Sequence, residues 1–593
     1  METRLDKTAT DTAPHRTPGA SGQPIKQGIR FAVPSLDLMI LGLLTIIALV
    51  PRVILATQLD MVTDEVVYIL GGKIYLPLVR HLSIGASGWN YNYEHPPFVK
   101  LLIGLALALN TAIYHPLTEL LAARLPSILF GTLLVVGLYW LAKAPFGRVV
   151  ALLAALCLAF SPWLVYFSAL AYLDMTMTAL VTIAYLLLWP ALRRPWLYPV
   201  SAALVGLGAA SKYTAVLAIP GMVLFTAYYF LAVRPRLPVE QRPSVPWLWW
   251  LAAIVLAPLA FLALDPAIWP NPLSLLQHSF RFEWEHSVNG HLTFLAGQYS
   301  THVPHWAILY IVAAKMSALV TLPALFFAIF ALIQLVRFHL RPTITATTET
   351  AGRAFVLIWL LAILGMFSLL NIVVGTHYHL PMAPPVALAG ACGLATLLRY
   401  RRGLLFQRQT IHGTAAGETA TSTIPIQQPI TGKTRLNPRA ALIVVLLAVL
   451  LAGPHLFGLT TVYAAEGYTS EFFQSENTVL QVAYPGYRDA VQWLATHTST
   501  PARVGLVALP GTLNAGSNDV SWFSYNSDLP TRLQLAEVHP DDHTFTSDYL
   551  VWPMHLVQRG YAIPDAWRAH IVHIVMGGNT IYCYIMAHPP GTA

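Results

Sequence analysis

The chain has 593 residues, 56% of them hydrophobic and only 10% charged, with a formal net charge of +8. A mean hydropathy of +0.58 excludes an ordinary soluble globular protein, and basic residues held in short clusters between apolar runs exclude a nucleic-acid surface, which needs a continuous basic patch. Three scattered cysteines, Cys157, Cys392 and Cys583, exclude a disulfide framework and a thiolate metal site.

Taken from the N-terminus, residues 1–33 are polar, rich in Thr, Pro, Gly and Ala, and read as a disordered cytoplasmic tail. About eleven apolar stretches follow, near 36–56, 124–142, 149–167, 171–190, 197–211, 214–233, 246–265, 317–336, 354–374, 381–398 and 440–460. Roughly twenty apolar residues are what a helix needs to cross about 30 Å of hydrocarbon. The first stretch is expected to act as its own insertion signal, since no cleavable leader precedes it. Lys143 and Arg148, Arg193 and Arg194, Arg234, Arg236 and Arg242, Arg337 and Arg341, and Arg399, Arg401 and Arg402 all fall in alternate connections. Positive residues concentrate in cytoplasmic loops, so this spacing predicts a cytoplasmic N-terminus and a transmembrane region over 34–460. Residues 57–123 then form a first extracytoplasmic loop. Within it FVKLLIGLALALNTAIY (98–114) is apolar, but a crossing there inverts every later loop; it reads as a helix along the outer surface or a re-entrant piece.

The connection 403–438, rich in Thr, Gly and Gln, reads as a flexible cytoplasmic linker. Beyond it, 461–593 reads as a small extracytoplasmic α/β domain. GYRDAVQWLATH (486–497) predicts a helix, RVGLVAL (503–509) a strand, and HIVHIVMGGNTIYCYIMA (570–587) a hairpin turning at GGN. The fold class is a polytopic α-helical membrane protein with about 11 transmembrane helices and this α/β domain at its C-terminus.

Against so sparse a charge background the outer loops hold an unusual polar set. TDEVVY (63–68) carries Asp64 and Glu65; NYEHPPFVK (92–100) carries Glu94, His95 and Lys100. A bland reading of TDE is a helix start, with Thr63 or Asp64 capping and Glu65 favouring the dipole. Asp174 tips the balance. It stands in FSALAYLDMTMTAL with no other charge, and a carboxylate at a span's end needs a partner or a substrate. Lys212, in GLGAASKYTAVLAIPG, reaches the same side; snorkelling to the headgroups is its competing explanation. GTHYHLPMAPP (375–385) adds His377, Tyr378 and His379 on a proline-stiffened turn, where histidines are more often hydrogen-bonded structural groups. Glu94, His95, His377 and His379 have zinc-binding chemistry, but no paired H-x₃-H spacing supports a metal, and no metal or other cofactor is assigned. Two candidate bases, Asp64 and Asp174, facing Arg52, Lys100, Lys212 and His377, suit a reaction on an anionic, lipid-attached substrate. Cations hold a departing phosphate, and a carboxylate takes the proton of the attacking hydroxyl.

TDEVVY followed by EHPPFVKLL resembles the first extracytoplasmic loop of the protein O-mannosyltransferases, where a DE pair precedes an HPP-x-x-K segment. RLPSILFG (124–131), LDM (173–175), SKY (211–213) and HYHLP (377–381) then resemble, in the family's order, its arginine-bearing second span, its later aspartate, its S-K-W and its H-Y-x-P. The ordered set covers about the first 390 residues. The wider superfamily is the GT-C glycosyltransferases, which includes the bacterial aminoarabinose transferases, and the chain is most similar to the prokaryotic, phospholipid-carrier-dependent branch.

The resemblance implies a GT-C fold and a sugar, a mannose-like hexose, carried on polyprenyl or dolichyl phosphate. It implies inverting transfer to an extracytoplasmic hydroxyl on a protein, lipid or polysaccharide. Asp64 maps to the general base, with Glu65 beside it holding the acceptor or the loop, and Asp174 to the later catalytic carboxylate. Arg124 maps to an arginine important in the family. Lys212 and the turn His377, Tyr378 and His379 become candidates for the lipid phosphate, while Glu94, His95 and Lys100 line the substrate side. Ala169 stands where the family often has an arginine, and the C-terminal domain does not resemble a β-trefoil. The partners expected are the lipid-linked donor, the acceptor and membrane lipids, without nucleic acid. A transporter or flippase is the competing class; its marks, midplane carboxylates and an inverted repeat, are not visible.

Overall fold

The computed structural model describes residues 36–290, 292–341, 343, 345–371, 375–406, 438–461, 465–513, 520–526, 528–542 and 544–589. The expected tail 1–33 and most of the expected linker 403–438 lie outside them. The chain separates into two compact units, Met1–Ile40, of which only the start of the first helix is described, and Leu41–Ala593.

The membrane part begins with α1 (Leu36–Gln58), α2 (Thr63–Arg80), α3 (Phe98–Ala112), α4 (Glu119–Phe146), α5 (Arg148–Phe160), α6 (Pro162–Ser168) and α7 (Asp174–Ala191). It continues through α8 (Leu197–Ser211), α9 (Ile219–Tyr228) and α10 (Trp247–Ala263). A segment outside the expected spans follows, with α11 (Pro272–Asn289), the hairpin β1 (Thr293–Leu295) and β2 (Gln298–Ser300), and α12 (Ala307–Lys315). Then come α13 (Ala318–Leu340), α14 (Thr348–Phe367), α15 (Ala383–Phe406) and α16 (Pro438–Thr461). Each of the eleven expected stretches overlaps a helix. Among the described residues eight helices are long and apolar enough to cross a membrane, nine if the bent α5–α6 pair is one span. Helices α8 and α10 have 15 and 17 residues, about 22 and 25 Å at 1.5 Å per residue, short of a full crossing. The chain is a multi-pass membrane protein.

One close approach and one helix bend shape the membrane part. Helices α2 and α3 cross at Gly72 and Gly104: a Cβ on Gly104 would meet the Gly72 oxygen at 2.4 Å, and one on Gly72 the Lys100 oxygen at 2.7 Å. On α3 the residues Val99, Ile103, Gly104, Leu107 and Asn110 are buried, while Leu105, Leu109 and Ile113 on the opposite face are exposed. That split is the pattern of a helix with one side on protein and an apolar side free for lipid. The second device is the 60° bend between α5 and α6, where Pro162 brings no N–H. The Arg52 guanidinium covers the freed carbonyls, donating to Leu158 and Ala159 as well as Ala48.

The C-terminal domain comprises α17 (Glu476–Val479), α18 (Tyr487–His497), β3 (Ala502–Val507), α19 (Trp522–Tyr525), β4 (Leu533–Val538), β5 (Tyr549–Pro553), α20 (Met554–Gln558), α21 (Asp565–Arg568), β6 (Ile571–Gly577) and β7 (Thr580–Ala587). Its five-stranded sheet runs β4-β3-β5-β7-β6. Strand β3 is parallel to β4 and β5, and the β6–β7 hairpin closes antiparallel on β5. The predicted helix, first strand and hairpin are all present. The turn falls at Gly578 (φ +59°) and Asn579, inside the expected GGN. Val507, Phe545, Leu550, Trp552, Leu556, Ile563, Trp567 and Met586 form its core. The domain is tied to the membrane part at α12, where the Lys315 ammonium reaches the Glu476 carboxylate and the carbonyls of Glu466 and Tyr468.

Candidate active site at the start of α2

Glu65 organises the start of α2. Its carboxylate is fully buried and meets Arg124 of α4 at 2.6 and 2.8 Å. It also accepts from its own helix start at the Val62 amide (3.0 Å) and from the Ala171 amide (2.7 Å) in the connection before Asp174. Arg124 spends its remaining donors on the carbonyls of Ala56, Leu59 and Asp60. One ion pair therefore joins the end of α1, the start of α2, α4 and the loop entering α7. Every nitrogen of the Arg124 guanidinium, expected on the substrate side, is here used by protein. Glu65 likewise holds the loop and has no edge free for an acceptor.

Asp64, the next residue outward, is half-buried, and its carboxylate has no hydrogen-bond partner among the described residues. Burial pushes it above the ordinary aspartate value; His95 and Lys212 pull it back, Asp174 pushes it up and Arg559 pulls it down. These groups act on Asp64 because the fold brings four separated motifs and the C-terminal domain to one place. An aromatic run marks the convergence: His95 to Tyr68 at 6.1 Å, Tyr68 to Tyr172 at 5.9 Å, and Tyr172 stacked on His377 at 5.5 Å and 14°.

Asp174 is buried at the first turn of α7, with Oδ1 2.7 Å from the Lys212 ammonium and Oδ2 unpartnered among the described residues. The same ammonium sits 3.8 Å from the centroid of the Tyr378 ring. Asp174 and Lys212 thus answer each other's charge, the partner that the sequence left open. His377 and His379 are buried, and His379 Nδ1 is unpartnered.

The EHPP loop is held from within. Lys100, expected among the substrate cations, is buried and donates to the carbonyls of Asn92 and His95, both at 2.7 Å, which clamps the loop. Glu94 accepts from Asn92 Nδ2 at 2.5 Å. His95 Nδ1 lies 3.2 Å from Glu283 of α11. Arg52, counted above among the available cations, is committed to the α5–α6 bend. Among the described residues no three or more His, Cys, Asp or Glu side chains are arranged to hold a metal ion.

Three residues escaped the sequence reading. Asp60 is buried before α2 and accepts from Met61 N (2.9 Å), Arg488 N (2.8 Å), Trp522 Nε1 (2.6 Å) and Asn526 Nδ2 (3.4 Å). The C-terminal domain therefore docks directly beside the candidate base. Arg559, following α20, is half-buried with an unpartnered Nε, and Asp64 is the first charge that acts on it. Asp265, after α10, is buried with no well-aligned partner. It alone had a usable signal, as a lone acid at the end of an apolar helix.

Residues 94–263 match the family described as dolichyl-phosphate-mannose-protein mannosyltransferase. No curated protein sequence matches the chain. Among solved structures, ArnT from Cupriavidus metallidurans bound to undecaprenyl phosphate is similar at a TM-score of 0.47 and 16% identity, over 93% of this chain and 98% of that one. An oligosaccharyltransferase from Archaeoglobus fulgidus is similar at a TM-score of 0.45 and 11% identity, over 93% and 74%. The arabinofuranosyltransferase AftD from Mycobacteria gives a TM-score of 0.38 and 16% identity, over 86% and 35%. The family match spans EHPP, RLPSILFG, LDM and SKY, and the ordered motifs continue to TDEVVY before it and HYHLP after it, so this stretch of the chain is similar to that mannosyltransferase family.

Proposed function

We propose that the protein transfers a hexose, mannose-like, from a polyprenyl-phosphate carrier to an extracytoplasmic hydroxyl, with inversion and with Asp64 as the general base. One observation carries this reading: of the acids gathered here, Glu65 and Asp174 are bound in ion pairs, whereas the Asp64 carboxylate is half-buried and uncommitted among the described residues. Asp64 takes the proton of the acceptor hydroxyl as its oxygen bonds to the anomeric carbon. The anomeric C–O bond to the carrier breaks, and its electron pair leaves on the phosphate. Lys212, which keeps its ion pair with Asp174, and Arg559 are the lysine and arginine whose charges act on Asp64, and they receive the phosphate charge as it develops. Two apolar grooves among α8, α9, α10 and α11, of about 530 and 570 Å³, share Val205, Ile219, Ala257 and Pro258, and the second ends at Tyr213, next to Lys212. A prenyl tail in that groove carries its phosphate toward Lys212.

The test is transfer from a radiolabelled polyprenyl-phosphate hexose in proteoliposomes. Asp64→Asn is expected to insert normally and to transfer at least 100-fold more slowly, the usual weight of a lost general base being about 10²–10⁴. Wild-type transfer by that variant removes Asp64 from the role.

A further inference from the structure

We propose that the cavity enclosed by α2, residues 89–97, Tyr213 and the connection from α10 into α11 is a monosaccharide pocket, in which Asp265 hydrogen-bonds the ring hydroxyls. This deepens the reading above and rests on it for the source of the sugar. The cavity measures about 310 Å³, at the small end of ligand sites and suited to one sugar ring.

Its walls have the two properties a pyranose requires. Tyr75, Trp89, Tyr93, Tyr213 and His278 line it with rings; Tyr75 and Trp89 lie 5.0 Å apart, and Tyr93 stacks on His278 at 5.0 Å. Ring faces cover the C–H face of a sugar while their polar edges stay free for hydrogen bonds. The opposing polar group is Asp265, 1% exposed, with neither carboxylate oxygen in a well-aligned hydrogen bond among the described residues. Buried polar atoms are nearly always partnered, and an orphan of this kind asks for a ligand. Vicinal hydroxyls supply two donors to one carboxyl group.

Other ligand classes fit less well. A phosphate meets an acid instead of a cation. An alkylammonium ion suits aromatic walls and a carboxylate, but it would be repelled by Lys100, whose ammonium lies 5.3 Å from the Tyr75 ring and whose charge already acts on Asp265. Burial pushes the Asp265 carboxyl up to about 7, against the pull of Lys100 and the Ala267 amide, so near neutral pH it is as much a hydroxyl partner as an anion. The cavity also adjoins the reaction: His95 lines it and acts on Asp64.

The experiment is saturation-transfer NMR of methyl α-mannopyranoside and methyl β-galactopyranoside with the purified full chain in nanodiscs. Wild type and Asp64→Asn are expected to saturate the ring protons of at least one glycoside, and Asp265→Ala to lose at least fivefold of that signal. Displacement of the glycoside by polyprenyl-phosphate hexose makes the occupant the donor sugar. No displacement, with a raised acceptor KM in Asp265→Asn, makes it a saccharide acceptor. Trp89→Leu, which leaves the carboxyl in place, reads the same pocket if Asp265→Ala does not insert. The proposal is overturned if folded Asp265→Ala and Trp89→Leu both saturate the glycosides as wild type does, or if choline binds in their place. Sugar binding needs no turnover: Asp64→Asn that still transfers removes the base and leaves the pocket, whereas unchanged glycoside signals remove the pocket and leave the base.

Discussion

The Arg124 guanidinium meets the Glu65 carboxylate along both oxygens, Nη2–Oε2 at 2.6 Å and Nε–Oε1 at 2.8 Å, with neither side chain exposed. Removing one member leaves the other charge buried without a counterion, which costs about 3–5 kcal/mol. Glu65→Ala and Arg124→Ala are therefore expected to lower stability by that amount in thermal unfolding of the detergent-solubilised protein. Asp64→Asn, one residue away, changes no ion pair and is expected to unfold within about 0.5 kcal/mol of wild type. An Arg124→Ala protein with wild-type unfolding but weakened donor binding returns Arg124 to the substrate.

The pH profile reads the surroundings of Asp64. A general base acts in its ionised form, so transfer falls as pH drops through the Asp64 pKa, and burial places that limb above the ordinary carboxylate range. The positive charge of Arg559 favours the ionised form; deleting it makes protonation easier. Arg559→Ala is expected to move the acidic limb to higher pH by roughly one unit or less, since the pair is partly solvated. Arg559→Lys keeps the limb in place. An unmoved limb in Arg559→Ala places this arginine outside the site.

Trp522 Nε1 donates to Asp60 Oδ1 at 2.6 Å and couples the C-terminal domain to the loop before Asp64. A hydrogen bond to a charged group contributes about 1.5–3 kcal/mol. Trp522→Phe is expected to raise hydrogen exchange at 487–497 about tenfold or more and to slow transfer, without touching the reacting groups. Faster exchange with unchanged transfer shows that docking does not position the base.

Helices α2 and α3 approach so closely that Gly104→Val forces them apart, its first added carbon falling 2.4 Å from the Gly72 oxygen. Overpacking of this kind costs about 1–3 kcal/mol. The expected result is an inserted protein with transfer reduced at least tenfold, read in the same proteoliposome assay. Gly365, whose Cβ would meet nothing within 4 Å, is the control, and Gly365→Ala is expected to be silent.

Much of this architecture is written locally in the chain. Apolar length marks each stretch that became a membrane helix, and alternation with a Gly-Gly-Asn turn marks the β6–β7 hairpin. The order of TDEVVY, EHPP, LDM, SKY and HYHLP is legible as well, and with it the presence of Asp64 and Asp174 as acids in an apolar background. Strands β4 and β5 were not. Their partner is β3, in parallel, and parallel pairing joins segments across long crossovers that leave no short-range signal. Nor was the helix α11, which helps to enclose the cavity at Asp265.

The sequence by itself determined a membrane protein with a rare set of acids and cations between its spans, because hydropathy and charge are properties of each residue. Only the tertiary structure decided what those charges do. Arg52, Lys100 and Arg124 carry the same formal charge as Arg559, yet the first three are closed around protein carbonyls and Glu65. Which acceptors lie within about 3 Å of a donor depends on chain segments far apart in sequence, and in a water-poor interior those acceptors claim the charge before any substrate arrives.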